Sequence, residues 1–301
     1  MREKPAHQTP WDWRAGIQFS CGGTGTGLLL FTAVASFQNP AWLTYTGWLS
    51  LLIIAIGLAS VWIKLGQRWR AMYVILNPRT SWMSREAFLS LPLMGLGLAA
   101  MIWQSPLLAL AAALFGLGFL FAQAKMLNTS MGIPVWREPL LVPVIVLTGL
   151  VEGAGLLLAI TPVLSGAEVA VFGDIGIWLP ITLFFLLLLR LWVWHSYRSK
   201  LTQPGAAPLA AAAALNRINK MLMGVGHLLP LLALLIIPIL PIGSMLATTV
   251  TFIIAGLTAL GGGWQMKFTI ITRAAYNQGF ALTHTPARTP GYGGDGTKPG
   301  W

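Results

Sequence analysis

The sequence predicts an all-α integral membrane protein, a bundle of eight transmembrane helices with both termini cytoplasmic. Three observations predict it. Hydrophobic residues make up 56% of the 301 and charged residues only 9%, with a mean hydropathy of +0.72. A soluble domain carries about 25% charged residues, so this chain lacks the polar surface of a soluble fold. The apolar residues gather into eight uniform runs near the ~20 residues that cross a bilayer, without the period-2 alternation of strands. Finally, all 19 Lys and Arg are assigned to one side, a positive-inside pattern.

The spans are expected at Gly16 to Phe37, Leu43 to Lys64, Glu86 to Trp103, Pro106 to Lys125, Pro139 to Ile160, Ile175 to Tyr197, Ile218 to Leu240 and Gly243 to Gln265. Spans one and two join through Gln38–Trp42, three and four through Gln104-Ser105, and seven and eight through Pro241-Ile242, none with a Lys or Arg. Thr161–Asp174 carries only Glu168 and Asp174. The other face collects Arg2, Lys4, Arg14, Lys64, Arg68, Arg70, Arg79, Arg85, Lys125, Arg137, Arg198, Lys200, Arg217, Lys220, Lys267, Arg273, Arg288 and Lys298, with Arg190 inside span six nearer its basic end. Residues 1–15 form a cytoplasmic N-terminal segment and 16–265 the transmembrane domain. Residues 266–301 form a cytoplasmic tail whose Gly-, Pro- and Thr-rich part, from Gln278, is expected to be mobile. The polar start lacks the pattern of a cleavable signal peptide.

This distribution accounts for the net charge of +11. The charge is topological, which argues against nucleic acid as a partner. The basic face is suited to membrane lipid or a docked soluble partner. One cysteine, Cys21, excludes an internal disulfide and an iron–sulfur cluster held by this chain alone.

The stretch "CGGTGTGLLLF" (21–31) resembles a phosphate loop but satisfies neither the dinucleotide fingerprint nor the P-loop, which needs a lysine. Gly23 and Gly27 instead sit four apart, the spacing that lets two membrane helices approach closely. Gly95/Gly97, Gly116/Gly118, Gly153/Gly155 and Gly224/Gly226 are similar small pairs. The functional alternative is that these glycines leave room for a flat ligand beside span one.

Ionisable residues at membrane depth point to function. Glu152 lies near the middle of span five and is either a proton-relay carboxylate or a neutral acid bonded to a carbonyl. Arg190 reads as too near the basic end to pair with it. His227 reads as a polar helix contact and His195, in "WVWHSYR", as part of the interfacial aromatic belt; a b-haem would need the two at matched depth. Glu152, His227 and Arg190 form the candidate proton path. At the basic ends of spans one to four lie Arg14, Gln18, Arg79, Arg85, Glu86, Gln123 and Lys125. Ser84 is a candidate cap there, with Glu86 in the first turn. Donors, acceptors and a protonatable group at one end of an apolar slot suit a quinone head group. The competing reading is ordinary capping and snorkelling.

"NPRTSWMSREAF" (77–88), "LNTSMGIPVWREP" (127–139) and "GGGWQMKFTIITRAAYNQGFAL" (261–282) resemble the membrane-anchor subunits of complex iron–sulfur molybdoenzymes. This is the NrfD/polysulfide reductase and DMSO reductase (DmsC-like) anchor family, and the resemblance is greatest to the integral membrane subunits of phenylacetyl-CoA:acceptor oxidoreductases. It implies a quinone site without haem, next to a docked ferredoxin-like iron–sulfur subunit, with a molybdopterin subunit carrying out the substrate chemistry. It assigns quinol contact to the acid at the start of span three, here Glu86. Many relatives have a histidine near the end of span two, where this chain reads Lys64-Leu65-Gly66. The expected protein is therefore a quinone-reactive (ubiquinone or menaquinone) anchor in the bacterial inner membrane. The alternatives are a proton-coupled secondary transporter and a b-haem subunit that oxidises quinol.

Overall fold

The computed structural model describes residues 5–63, 73–164, 175–240 and 245–278. Among these, eight helices are long and apolar enough to cross a membrane. They are α1 (Trp13–Ser36), α2 (Leu43–Trp62), α3 (Trp82–Trp103), α4 (Pro106–Asn128), α6 (Leu141–Leu164), α7 (Trp178–Leu201), α8 (Leu209–Ile239) and α9 (Met245–Arg273). A one-turn helix, α5 (Pro134–Arg137), lies between α4 and α6. The described residues contain no strand, only an isolated bridge between His7 and Tyr276. All-helical spans follow from the solvent: in hydrocarbon every backbone group must be satisfied within its own segment.

Side-chain caps set several helix starts. Asp12 accepts from the Arg14 amide at 3.0 Å, and Ser105 caps α4 ahead of Pro106, whose missing N–H costs nothing at a first position. The cap of α3 is Ser81 rather than Ser84. The helix therefore starts at Trp82, and Glu86 lies one turn deeper than the sequence suggested. Three π-helical turns interrupt the spans, at 43–47, 224–228 and 269–273.

Helix α1 is the hub of the bundle and packs on α2, α4, α6 and α9. Around it, α3 pairs with α4, α6 with α7 and α9, and α8 with α9. One apolar cluster gathers around Trp136, Trp194 and Tyr197 at the end where α1 begins and α9 finishes. A second fills the far half between α1 and α6 to α9, and a third lies among α1 to α4. Buried polar ring atoms find carbonyls: Trp136 Nε1 donates to Ile270 at 3.0 Å and the Tyr197 hydroxyl to Val135 at 2.7 Å.

Close crossings are made by glycine, as expected where lipid removes the hydrophobic drive between helices. A Cβ on Gly27 would overlap the backbone of Gly149, and one on Gly153 that of Gly27. Gly155 meets Gly256 in the same way, and Gly226 meets Gly262. The small pairs read from sequence divide: Gly97, Gly116 and Gly118 face side chains, while Gly95 and Gly224 have nothing within 4 Å.

The described N- and C-terminal segments meet at one end of the bundle. Gln8 N donates to Ala275 at 3.0 Å and Asn277 N to Ala6 at 2.9 Å. Alternating helix direction brings the start of α3, the end of α4 and the end of α7 to the same end, with Arg79, Arg85, Lys125, Arg198 and Lys200.

Two boundaries need correction. Helix α9 continues to Arg273, so residues 266–275 belong to the bundle and not to a tail; Met266, Lys267, Ile270, Ile271, Ala274 and Ala275 are all buried. The helix of span seven starts at Leu209, nine residues ahead of the expected crossing at Ile218. Lys64-Leu65-Gly66, Arg68, Arg70, Glu168, Asp174 and the tail from 279 lie outside the described residues.

Candidate functional site

Two polar clusters flank α1, and a third lies between α7, α8 and α9. The first joins three residues that the sequence had singled out. Gln18 on α1 and Gln123 on α4 both donate through Nε2 to Glu86 Oε1 on α3, at 2.7 and 3.0 Å. Exposure is 5% for Gln18, 6% for Glu86 and none for Gln123. Among the described residues the carboxylate thus receives amide donors but no cation. The amide oxygens, Gln18 Oε1 and Gln123 Oε1, are buried without a partner among the described residues. A buried acceptor left unpaired costs about 1–3 kcal/mol, and both of these oxygens belong to the side chains that hold the carboxylate.

Glycines make this geometry possible. A Cβ on Gly22 would lie 2.6 Å from Gln123 Nε2, and one on Gly57 3.3 Å from Gln18 Oε1. The space beside α1 is therefore filled by protein at both expected positions. The Lys267 ammonium and the Gly149 backbone occupy it at Gly23, and the Gly149 and Gly153 backbones at Gly27. A flat ligand beside Gly23 and Gly27 is ruled out by that filling.

The predicted cations do not touch Glu86. Arg85 donates to the carbonyls of Pro78 and Arg79 at 2.8 Å each and lies 4.1 Å over the Trp82 ring. Lys125 lies 5.7 Å from that ring and 3.5 Å from Asn128 Oδ1. Arg14 borders Trp13 at 5.4 Å, and Arg79 is exposed. These four form a basic margin within about two turns of the cluster residues on their own chain segments.

The second cluster is an ion pair enclosed by the bundle. Lys267 Nζ donates to Glu152 Oε2 at 2.6 Å, and neither side chain is exposed. Thr24 Oγ1 also donates to Oε2, at 2.9 Å, and itself accepts from Trp264 Nε1 at 2.9 Å. Lys267 reaches the Phe19 carbonyl at 3.1 Å. Glu152 Oε1 has no partner among the described residues. A Cβ on Gly263 would come 2.5 Å from that oxygen. Sequence reasoning missed Lys267 as the partner because it ended the span at Gln265. The signal was present: Phe268, Ile270 and Ile271 continue the apolar run past the lysine.

The third cluster corrects the placement of Arg190, which lies midway along α7 and is 1% exposed. Its Nε donates to His227 Nε2 at 3.1 Å and its Nη1 to the Ala259 carbonyl at 3.1 Å, while Nη2 reaches Gly226 O. His227 Nδ1 donates to Leu222 O at 2.9 Å, the tautomer that leaves Nε2 to accept. His227 and the Gly226 carbonyl both lie in the π-turn at 224–228, and such turns recur at functional sites. Both ring nitrogens of His227 are thus engaged, and His195 is exposed. The bis-histidine pair needed for b-haem is not assembled. Of the candidate proton path, Arg190 and His227 are joined. Glu152 belongs to the Lys267 cluster, and no hydrogen bond among the described residues links the two pairs. Among the described residues no group of three or more His, Cys, Asp or Glu is arranged to hold a metal ion.

No protein-family model matches the chain. No curated protein matches it either.

Proposed function

We propose that this chain is the quinone-reactive membrane anchor of a molybdopterin/iron–sulfur oxidoreductase, with Glu86, Gln18 and Gln123 as its quinone site. The observation that carries this reading is the buried carboxylate held by two amides one to two turns inside the basic end. The unpaired Gln18 and Gln123 oxygens fit hydroxyl donors, and Glu86 fits a group that gives and takes protons within hydrogen-bond reach. A quinone bound here supplies two-electron, two-proton chemistry. Glu86 holds or releases the proton at its carboxylate, and the two glutamines fix its orientation. The surrounding aliphatic side chains exclude bulk water.

The positive-inside distribution supports a basic end facing the cytoplasm of a bacterium, with the chain in its inner membrane. Arg79, Arg85, Lys125 and Arg137 then offer a cationic face to a ferredoxin-like subunit, and a molybdopterin subunit beyond it acts on the organic substrate. A cytoplasmic CoA thioester such as phenylacetyl-CoA suits that orientation.

The test is Glu86→Gln in the complex purified from native membranes, assayed as electron transfer from the catalytic subunit to a soluble quinone analogue. Turnover with quinone should fall by about 100-fold or more, the scale of general acid–base catalysis, while reduction of an artificial dye by the soluble subunits stays intact. Unchanged quinone turnover would overturn the assignment.

A second reading, a proton-coupled transporter, draws on the Glu152–Lys267 pair, since ionisable residues facing each other inside a membrane bundle also mark transport paths. Mild-detergent purification separates the two. An anchor arrives with two soluble subunits, molybdenum or tungsten, and iron; a transporter arrives alone.

A further inference from the structure

A cavity of about 690 Å³ opens at the basic end between α8, the end of α9 and the N-terminal segment. Its α8 wall is one continuous helical face. Ala210, Ala213 and Ala214 lie on it, followed at helical spacing by Arg217, Ile218 and Met221. The alanines leave the volume that larger side chains would fill. Across the cavity stand Gln265, Thr269 and Arg273 of α9, with His7 and Tyr276 stacked edge-to-face at 4.9 Å above them.

Helix length sets the depth of this cavity. Helix α8 has 31 residues, about 46 Å, against a hydrocarbon core about 30 Å thick. Counting about twenty residues from Ile239 places the hydrocarbon edge near Lys220. The same count along α9 from Met245 places it near Gln265. The cavity therefore starts at the edge of the hydrocarbon, at Met221 and Gln265, and rises into the headgroup layer at Arg217 and Arg273. It is apolar below and cationic above.

Both arginines are exposed. Each of the four described acidic residues has a partner elsewhere: Asp12 caps α1 at the Arg14 amide, Glu86 bonds the two glutamines, Glu138 bonds Lys200 and Glu152 bonds Lys267.

We propose that this cavity is a binding site for one anionic membrane phospholipid. Its phosphate lies between Arg217 and Arg273, and an acyl chain descends over Ile218 and Met221. The charge and its height select this occupant: two guanidiniums with no acidic partner among the described residues, at phosphate level, above the apolar Ile218 and Met221. The site lies on the α8–α9 side of the bundle, away from Glu86, and does not depend on quinone chemistry.

Native mass spectrometry of the full-length chain, with any subunits that copurify, tests it after delipidation and titration with phosphatidylglycerol or phosphatidylethanolamine. One phosphatidylglycerol should be retained at least tenfold more tightly than phosphatidylethanolamine. The double variant R217Q/R273Q should lose that preference, while R137Q/R198Q, with the same change in net charge at the same end, should keep it. A213W, which fills the cavity and leaves both arginines, should also abolish retention. Equal retention of the two lipids, or equal loss in the two double variants, would overturn the site. Competition by millimolar inorganic phosphate alone would make it a free-phosphate site, and retention of phosphatidylglycerol only after removal of residues 279–301 would assign the cavity to the chain's own tail. Either result overturns the lipid assignment.

Discussion

At the scale of single residues, the two carboxylates that flank α1 are held in opposite ways. Glu86 is held by neutral amides, and Glu152 by a lysine with no exposed surface. Loss of one member of a buried ion pair strands the other, at a cost of about 3–5 kcal/mol, whereas replacing both with apolar groups is often neutral. Lys267→Met alone should therefore sharply lower the temperature at which the detergent-solubilised protein aggregates, and Glu152→Leu added to it should restore much of the loss. If the double variant is no more stable than the single one, the pair does not act as a unit. Gly23→Ala acts on the same pair from behind, since the new methyl would overlap the Lys267 ammonium. It should mimic Lys267→Met in direction.

At the scale of helices, the glycines separate into those that set a crossing and those that do not. Gly153→Ala places a methyl into the Gly27 backbone where α1 meets α6, and should prevent recovery of monodisperse protein. Gly95→Ala meets nothing within 4 Å and gains helix propensity, so it should be neutral or stabilising by up to about 1 kcal/mol. Recovery by fluorescence-detected size exclusion and melting temperature measures both. The same helices show what was legible beforehand. The spans were readable because hydropathy alone sets them. The Gln18–Glu86–Gln123 cluster was readable because each residue lies a similar distance inside the basic end of its own span. Lys267 was not, because a lysine after twenty apolar residues reads as the end of a span. The Arg190–His227 contact depends on a π-turn at 224–228, which shifts the α8 face by a residue and leaves no periodic mark in the sequence. The Gly149 and Gly256 partners were equally hidden, since their use depends on how α6 and α9 rotate.

At the scale of the whole molecule, the proposed orientation makes a prediction free of any enzymology. The sole cysteine, Cys21, is buried, so the native chain in intact spheroplasts should not react with a membrane-impermeant maleimide. Thr44→Cys, exposed in the first turn of α2, should be labelled from outside. Thr129→Cys, after α4, should be labelled only once the membrane is opened. The reverse pattern would place the basic end outside, against the positive-inside rule, and would remove the cytoplasmic partner. Of the nineteen basic residues, Arg190 and Lys267 are interior and carry no topological information.

Helix α1 has a consequence for how the molecule is made. It is the least apolar of the eight spans and among the most enclosed, rich in glycine and threonine, with almost no side of its own suited to lipid. It leaves the ribosome before α4, α6 and α9, the helices that will cover it. During synthesis it must therefore be sheltered, either in the insertion machinery or by early pairing with α2. Its final neighbours arrive only after more than two hundred further residues have been added. The helix on which both polar clusters are built is thus an early one to be synthesised and among the last to reach its permanent surroundings.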